Sequence, residues 1–325
     1  MKIIDEIRKP ILFELQLLAD TFVEPLNTDN ELLLSVNEYM LNMSGKQLRP
    51  IITILSAKIC GEVNKNTIYG AHSLEILHTA SLIHDDVVDD TLERRGNPSI
   101  NAIWSNKTAV FSGDYMFSKS LSYAIKTQNI AILKSVSDIG NQLTDGELLQ
   151  LVNTSLSKSS EANYFTIIRK KTAQLFSSCA EVGGLSANAY CDTLSHLRNF
   201  GEYLGICFQL KDDVFDYFED INIGKPTGND IRDGKITLPL IFALQNSINV
   251  DEKNQVLAWI ERKDFSEENI KAITRFTHKN GGVDYSIQKM EEFKNKAIAE
   301  LDSFVDSVEK KALVLCAEYA SSRKL

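Results

Sequence analysis

The chain has 325 residues, 43% of them apolar, 24% charged and 8% aromatic, which is the composition of a globular protein long enough to bury a large core without staples. A formal charge of −9 leaves no basic field to attract a phosphate backbone, which argues against nucleic-acid binding. The five cysteines, Cys60, Cys179, Cys191, Cys207 and Cys316, are odd in number, scattered and never spaced Cys-x-x-Cys. They argue against a disulfide framework and a zinc site and fit a reducing cytoplasm.

Met1 to Asp20 carries charges throughout its apolar pattern, with no uninterrupted apolar run and no small-residue cleavage site, so it does not read as a secretory signal. Nowhere is there a stretch of ~18 apolar residues that would span a membrane. Asn42–Lys46 reads as a loop. From Thr67 to Asp90, Ala71, Leu74, Leu77, Ala80 (or Ser81) and His84 recur at three-to-four spacing, and Leu82, Ile83, Val87 and Val88 widen that face. A helix apolar nearly all round is a buried one. Arg94–Ser99 is a loop. No proline occurs between Pro98 and Pro226, which predicts long helices there. Ser155–Glu161 breaks that stretch. Leu194 to Phe218 repeats the buried-helix pattern through Leu197, Phe200, Leu204, Phe208 and Leu210 or Phe215. Ile223–Lys235 and Lys279–Gly282 read as loops. No run alternates cleanly as a strand would, and neither a repeat nor a shift in composition divides the chain. The expectation is a single all-α domain over residues 1–325, a bundle of stacked antiparallel helices.

Two of these helices end in the same acidic pattern. The first reads Asp85-Asp86-Val-Val-Asp89-Asp90-Thr-Leu-Glu93, the second Asp212-Asp213-Val-Phe-Asp216-Tyr-Phe-Glu219-Asp220. On a helix, positions i, i+4 and i+8 lie near one face. Asp85, Asp89 and Glu93 would form one row, and Asp212, Asp216 and Asp220 another. Aspartate is a mediocre helix former, and like charges at i,i+4 cost roughly 0.2–0.5 kcal/mol each. Carboxylates on a buried helix need a positive partner. Oxygen-only ligands suit a hard ion, and Mg²⁺ takes one or two carboxylates with the rest of its shell from water and substrate phosphates. A solvated acidic face would explain one such motif more easily than two.

Cationic residues flank both motifs. Gly45-Lys46-Gln47-Leu48-Arg49-Pro50 is a loop entering a helix, where glycine admits a close backbone approach and the helix N-terminus favours anions. Arg94-Arg95-Gly96 follows the first acidic motif, and the arginine fork suits phosphate oxygens. Lys170-Lys171-Thr172 lies mid-chain. Gly224-Lys225-Pro226 and Asp230-Ile-Arg-Asp-Gly234-Lys235 follow the second motif. Taken singly, the arginines read as a surface turn, the lysines as a solvated helix face, and His78 as a satisfied core histidine. Their place beside paired acid clusters points to an anionic ligand.

With Gly113-Asp114-Tyr115, Lys171-Thr172-Ala173 and Gly205-x-x-x-Gln209 added, these motifs resemble the trans-isoprenyl diphosphate synthases, the polyprenyl synthetase family, over residues from about 40 to 245. The resemblance implies one helical bundle around a deep central cavity, a homodimer, and Mg²⁺-dependent head-to-tail joining of isopentenyl diphosphate to an allylic prenyl diphosphate. It also implies roles. Lys46, Arg49, His78 and Arg95 would bind the diphosphate of isopentenyl diphosphate. Asp85, Asp89 and Asp212 would hold Mg²⁺ on the allylic diphosphate, with Asp86, Asp213 and Asp216 nearby. Arg94, Lys171, Lys225 and Lys235 would contact that diphosphate, and Thr172 and Gln209 would face the reacting carbon. Phe208 is a candidate for cation–π stabilisation. Bulky aromatics one turn before the first motif stop the growing tail in this family. Here Ala80 and Ser81 are small, so a long all-trans product is expected, with a farnesyl- or geranylgeranyl-length product as the alternative.

Three other readings differ in their residues. A class I terpene cyclase would replace the second Asp-Asp-x-x-Asp with an Asn/Asp…Ser/Thr…Glu motif. A histidine-ligated phosphohydrolase would need His72, His78 and His84-Asp85 at one metal. A non-catalytic partner subunit would be expected to lack some of the acids, and none of the family-pattern acids is missing.

Overall fold

The computed structural model describes residues 3–22, 28–42, 45–152, 159–218 and 228–322. The order is α1 (Ile3–Arg8), α2 (Leu12–Phe22), α3 (Glu31–Asn42), α4 (Leu48–Cys60), α5 (Lys65–Val88), a hairpin of β1 (Glu93–Arg94) and β2 (Asn97–Pro98), α6 (Ile100–Ile103), α7 (Asn106–Lys126), α8 (Ile130–Val152), α9 (Glu161–Ile168), α10 (Gln174–Ser186), α11 (Cys191–Phe215), α12 (Asn229–Arg232), α13 (Leu238–Asn246), α14 (Val250–Arg262), α15 (Glu267–Lys279), α16 (Gly282–Glu300) and α17 (Val308–Ser322). The fold is all-α, as the missing alternation and the proline-free middle predict. The two-residue strands of the hairpin, paired Glu93 to Pro98 and Arg94 to Asn97, form where a loop was expected. Among the described residues, no helix is long and apolar enough to cross a membrane.

The chain forms two compact units. The first comprises Met1–Asn141, Leu175–Gly201 and Glu300–Cys316; the second comprises Gln142–Gln174, Glu202–Ala299 and Ala317–Leu325.

In the first unit, α5 is the axis. Asn64 starts it with a reciprocal capping box, its side chain taking the Thr67 N–H while the Thr67 side chain takes the Asn64 N–H, which satisfies orphan donors at both positions. Ile76, Ala80 and Ile83 are buried with Val36, Ala109, Met116 and Tyr123. Contact with α7 is close. The Ser73 hydroxyl donates to the Ser120 carbonyl at 2.8 Å, and Gly113 lets α7 approach the His84 ring so nearly that a Cβ there would lie 2.3 Å from Nε2. The helix stops at Val88, and Asp89 caps it with φ −89° and its N–H on the Asp85 carbonyl.

In the second unit, Val214, Tyr217, Ile231, Leu240, Ile273 and Phe276 are buried together. The end of α11 is therefore anchored in a core that also holds α12, α13 and α15. Between α9 and α10 the chain adds one turn of π-helix, Arg169–Ala173. Such a bulge widens a helix by one residue and is common at functional sites.

Candidate active site

In the first unit a cavity of about 230 Å³ opens beside the C-terminal half of α5, lined by Glu75, His78, Leu82 and Asp86 on that helix, by Arg94 and Arg95 of the hairpin, and by Gly45 and Gln47. Residues 75, 78, 82 and 86 fall on one helical face, so the same spacing that buries the helix also aims these four side chains at one place. Phe22, Met40, Ile76 and Met116 supply an apolar wall.

The cationic residues reach this cavity by different local devices. Gln47 takes the left-handed conformation at φ 54° and opens α4 without a side-chain capping bond. Pro50 then sits in the first turn, where it removes no helical hydrogen bond. Arg49, also in that turn, lies with its guanidinium carbon 4.9 Å over the Phe176 ring, a cation–π contact. Arg95 has φ 56°, the twist the hairpin turn demands, and its guanidinium packs on Gly45. A Cβ on Gly45 would meet Arg95 Nη1 at 2.6 Å. Arg94 turns the other way, its Nε 2.8 Å and its Nη2 2.6 Å from Asp86 Oδ1, and Asp86 is only 4% exposed. His78 is held neutral, because burial and then Arg49, Arg95 and Arg94 all push its pKa down. Lys46 is exposed, and its carbonyl accepts from Arg8 at 2.9 Å.

Helix geometry carries the predicted acidic rows only part of the way. Asp85 lies inside α5 and Asp89 caps it, but Glu93 belongs to β1, so the first row ends at two carboxylates. In the second row α11 ends at Phe215 and Asp216 lies in the following turn. Asp220 and Lys225 lie outside the described residues.

The second unit brings Thr172, Gln209 and Asp213 into one chain of hydrogen bonds. The Thr172 hydroxyl donates to Gln209 Oε1 at 2.8 Å, Gln209 Nε2 donates to Asp213 Oδ1 at 2.8 Å, and the Tyr164 hydroxyl donates to Asp213 Oδ2 at 2.5 Å. Thr172 stands in the π turn. Asp216 takes the Asn229 and Asp230 N–H groups at 2.9 and 3.0 Å, fastening the segment after the second motif. Burial pushes the carboxyls of Asp213, Asp216 and Asp230 upward, Asp213 to about 6 and Asp230 to about 8, with neighbouring carboxylates adding to it. A buried cluster of this kind is relieved by a cation. Lys171 is held by Glu147 at 2.8 Å and Gln150 at 2.9 Å, and the Lys235 ammonium by Asp233 at 3.2 Å.

Among the described residues, no group of three or more His, Cys, Asp or Glu side chains is placed to hold a metal alone. That suits Mg²⁺ completed by substrate phosphates, which needs only one or two carboxylates from the protein at each ion. It does not suit a histidine-ligated centre. His72 is packed against Phe22 and Tyr123, His78 lines the cavity, and His84 bonds to the Val110 carbonyl at 3.2 Å and lies 3.4 Å from Asp114.

Ala80 and Ser81 do not line this cavity. Ala80 is fully buried among the α5–α7 side chains, and the Ser81 hydroxyl donates to the His78 carbonyl. Three participants escaped sequence reasoning. Tyr164 lies 49 residues from its partner Asp213, Glu75 is a lone acid on an apolar helix, and the π turn leaves no compositional mark. A faint signal for Glu75 exists: it is one turn before His78 on the row that ends at Asp86.

Comparison with known proteins agrees with this arrangement. The family model described as polyprenyl synthetase matches residues 30–276. The octaprenyl diphosphate synthase of Haemophilus influenzae is 33% identical over 321 residues, 98% of this chain and 97% of that one. A polyprenyl synthase from Caulobacter crescentus CB15, complexed with calcium and isoprenyl diphosphate, superimposes with a TM-score of 0.92 at 29% identity, covering 99% of this chain and 98% of that one. A geranylgeranyl pyrophosphate synthase from Bacteroides thetaiotaomicron does so with a TM-score of 0.86 at 39% identity, covering 99% of this chain and all (100%) of that one. On sequence, fold and the arrangement of its acidic and basic side chains, the chain belongs to the polyprenyl synthetase family and is a trans-prenyltransferase.

Proposed function

We propose that this enzyme is a Mg²⁺-dependent head-to-tail synthase that adds isopentenyl diphosphate to an allylic diphosphate and carries the product to a long all-trans polyprenyl diphosphate. The observation that carries the reading is the cavity beside α5, where Arg94, Arg95, neutral His78 and the Gly45 backbone meet at the end of a helix that finishes in Asp85-Asp86-x-x-Asp89. Lys46, Arg49, His78 and Arg95 bind the isopentenyl diphosphate. Neutral His78 donates a hydrogen bond there without adding charge.

Asp85 and Asp89 from the first unit and Asp212 from the second hold Mg²⁺ on the allylic diphosphate. Their oxygen-only donor set, with Asp86, Asp213 and Asp216 each tied by protein donors, fits that ion. When bound, Mg²⁺ neutralises the charge that grows on the departing diphosphate. Arg94, Lys171, Lys225 and Lys235 share that task, and Lys171 exchanges Glu147 and Gln150 for phosphate oxygens. As the carbon–oxygen bond breaks, an allylic cation forms. The Gln209 and Thr172 oxygens, fixed in orientation by the chain to Asp213 and Tyr164, direct their negative ends at it. The isopentenyl double bond attacks, and a proton is lost from the adduct. The apolar wall of the cavity keeps out water that would quench the cation.

The two units work as one domain of residues 1–325, the chain acts as a homodimer, and the reaction takes place in the cytoplasm. Small residues at Ala80 and Ser81 and the octaprenyl relative favour a long product. The geranylgeranyl synthase among the similar structures favours a shorter one. Chromatography of the product from farnesyl and isopentenyl diphosphates with Mg²⁺ decides between them. Products beyond geranylgeranyl length, abolished by EDTA, are expected. A product no longer than geranylgeranyl would overturn the long-chain assignment, and turnover that survives EDTA would overturn the metal mechanism.

A further inference from the structure

The cavity in the first unit contains an acid for which diphosphate chemistry has no direct use. Glu75 stands one turn before His78 on α5 and lines the same space as His78, Arg94 and Arg95. Its Oε2 is buried and makes no hydrogen bond. A carboxylate facing a diphosphate site repels the ligand, and burying it without a full set of partners is costly. The compensation comes from two cations. Burial pushes the Glu75 carboxyl up, and the Arg49 and Arg95 guanidinia draw it back down.

Those two arginines arrive from different places, Arg49 from the first turn of α4 over the Phe176 ring and Arg95 from the hairpin turn against Gly45. Nothing in either local device sets the distance between the two forks, and like charges in a poorly screened cavity drive them apart. A single negative group facing both would oppose that. We propose that Glu75 is a positioning residue: its carboxylate is the internal counter-ion that holds Arg49 and Arg95 at the cavity wall in the arrangement that grips the diphosphate of the isopentenyl substrate. The inference rests on the assignment of this cavity to isopentenyl diphosphate.

Three full-length variants test it: Glu75→Gln, Glu75→Asp and Arg95→Gln. Glu75→Gln is expected to raise KM for isopentenyl diphosphate at least tenfold, with kcat and KM for farnesyl diphosphate within threefold of wild type. The inhibition constant of inorganic diphosphate, competing against isopentenyl diphosphate, should weaken in parallel. Glu75→Asp keeps the charge and should recover part of the loss, which a role in packing alone would not produce. Combined with Arg95→Gln, Glu75→Gln should cost little more, because both act through the same fork. An unchanged or lowered KM in Glu75→Gln, equal losses for both substrates, or an aspartate variant no better than the glutamine one would overturn the inference. If Arg95→Gln raises KM for isopentenyl diphosphate and Glu75→Gln does not, the inference alone falls. If Arg95→Gln leaves it unchanged, the assignment of the cavity falls with it.

Discussion

Replacing Gly45 with alanine is expected to damage binding of isopentenyl diphosphate while leaving the fold intact. A Cβ at this position would lie 2.6, 2.7 and 2.9 Å from Nη1, Cζ and Nη2 of Arg95. Ordinary contact begins near 3.4 Å, so the guanidinium must withdraw by about 0.8 Å. The fork is the far end of a flexible side chain and can move. Gly45 is not among the glycines with positive φ, so alanine fits the backbone, and a less flexible unfolded chain offsets any small loss. The melting temperature should therefore stay within a few degrees. A hydrogen bond to a charged group is worth roughly 1.5–3 kcal/mol. Losing one bidentate contact of Arg95 should then raise KM for isopentenyl diphosphate roughly 10- to 150-fold, at about 1.4 kcal/mol per decade. Steady-state rates at saturating farnesyl diphosphate with the other substrate varied provide the measurement. A KM within twofold of wild type in a well-folded variant would refute the placement of Arg95 against Gly45 as a requirement for binding.

Gly113→Ala should act on stability instead. Its Cβ would lie 2.3 and 2.6 Å from atoms of the His84 ring, and overpacking of this kind costs about 1–3 kcal/mol, measurable by urea unfolding. Tyr164→Phe removes one of the two side-chain donors to buried Asp213. Burial already raises that carboxyl to about 6, above the ~3.9 of an unfolded aspartate, so between these values the folded state binds more protons and stability falls as pH rises. Losing the tyrosine donor raises the carboxyl further and carries that decline to higher pH. In EDTA the variant's deficit should be largest above pH 7 and shrink below pH 6; an equal deficit at both pH values would contradict the bond to an ionised Asp213. Ser81→Phe should shorten the product if the tail passes this turn of α5, as chromatography of the chain-length distribution would show.

The parts of the molecule legible in the sequence are those set by local periodicity. The pattern from Thr67 to Asp90 became α5, Lys65–Val88, and the pattern from Leu194 to Phe218 became α11, Cys191–Phe215. Both acidic motifs fall at helix ends, as their position after apolar runs implied. The acidic rows were read too far because aspartate favours caps over helix interiors, and Asp89 ended the helix before Glu93 could join it. The loop expected at Arg94–Ser99 became a hairpin because Arg95 and Gly96 both take positive φ, which a run of charges does not announce. Tyr164, Glu75 and the π turn depend on contacts far apart in sequence or on a backbone register. Neither composition nor spacing encodes these.

The most direct test of the whole account is a double-mutant cycle on Asp85→Asn and Asp212→Asn, with Mg²⁺-dependent kcat as the readout. Two residues serving one metal-bound diphosphate act as a unit, and their losses do not add. Each variant alone should lose nearly all turnover, at least a thousandfold (about 4 kcal/mol at 1.36 kcal/mol per decade), and the double variant should lose little more. Losses that add in full, or an Asp212→Asn enzyme with near-normal kcat and an unchanged Mg²⁺ requirement, would contradict the claim that the two acidic motifs share one substrate.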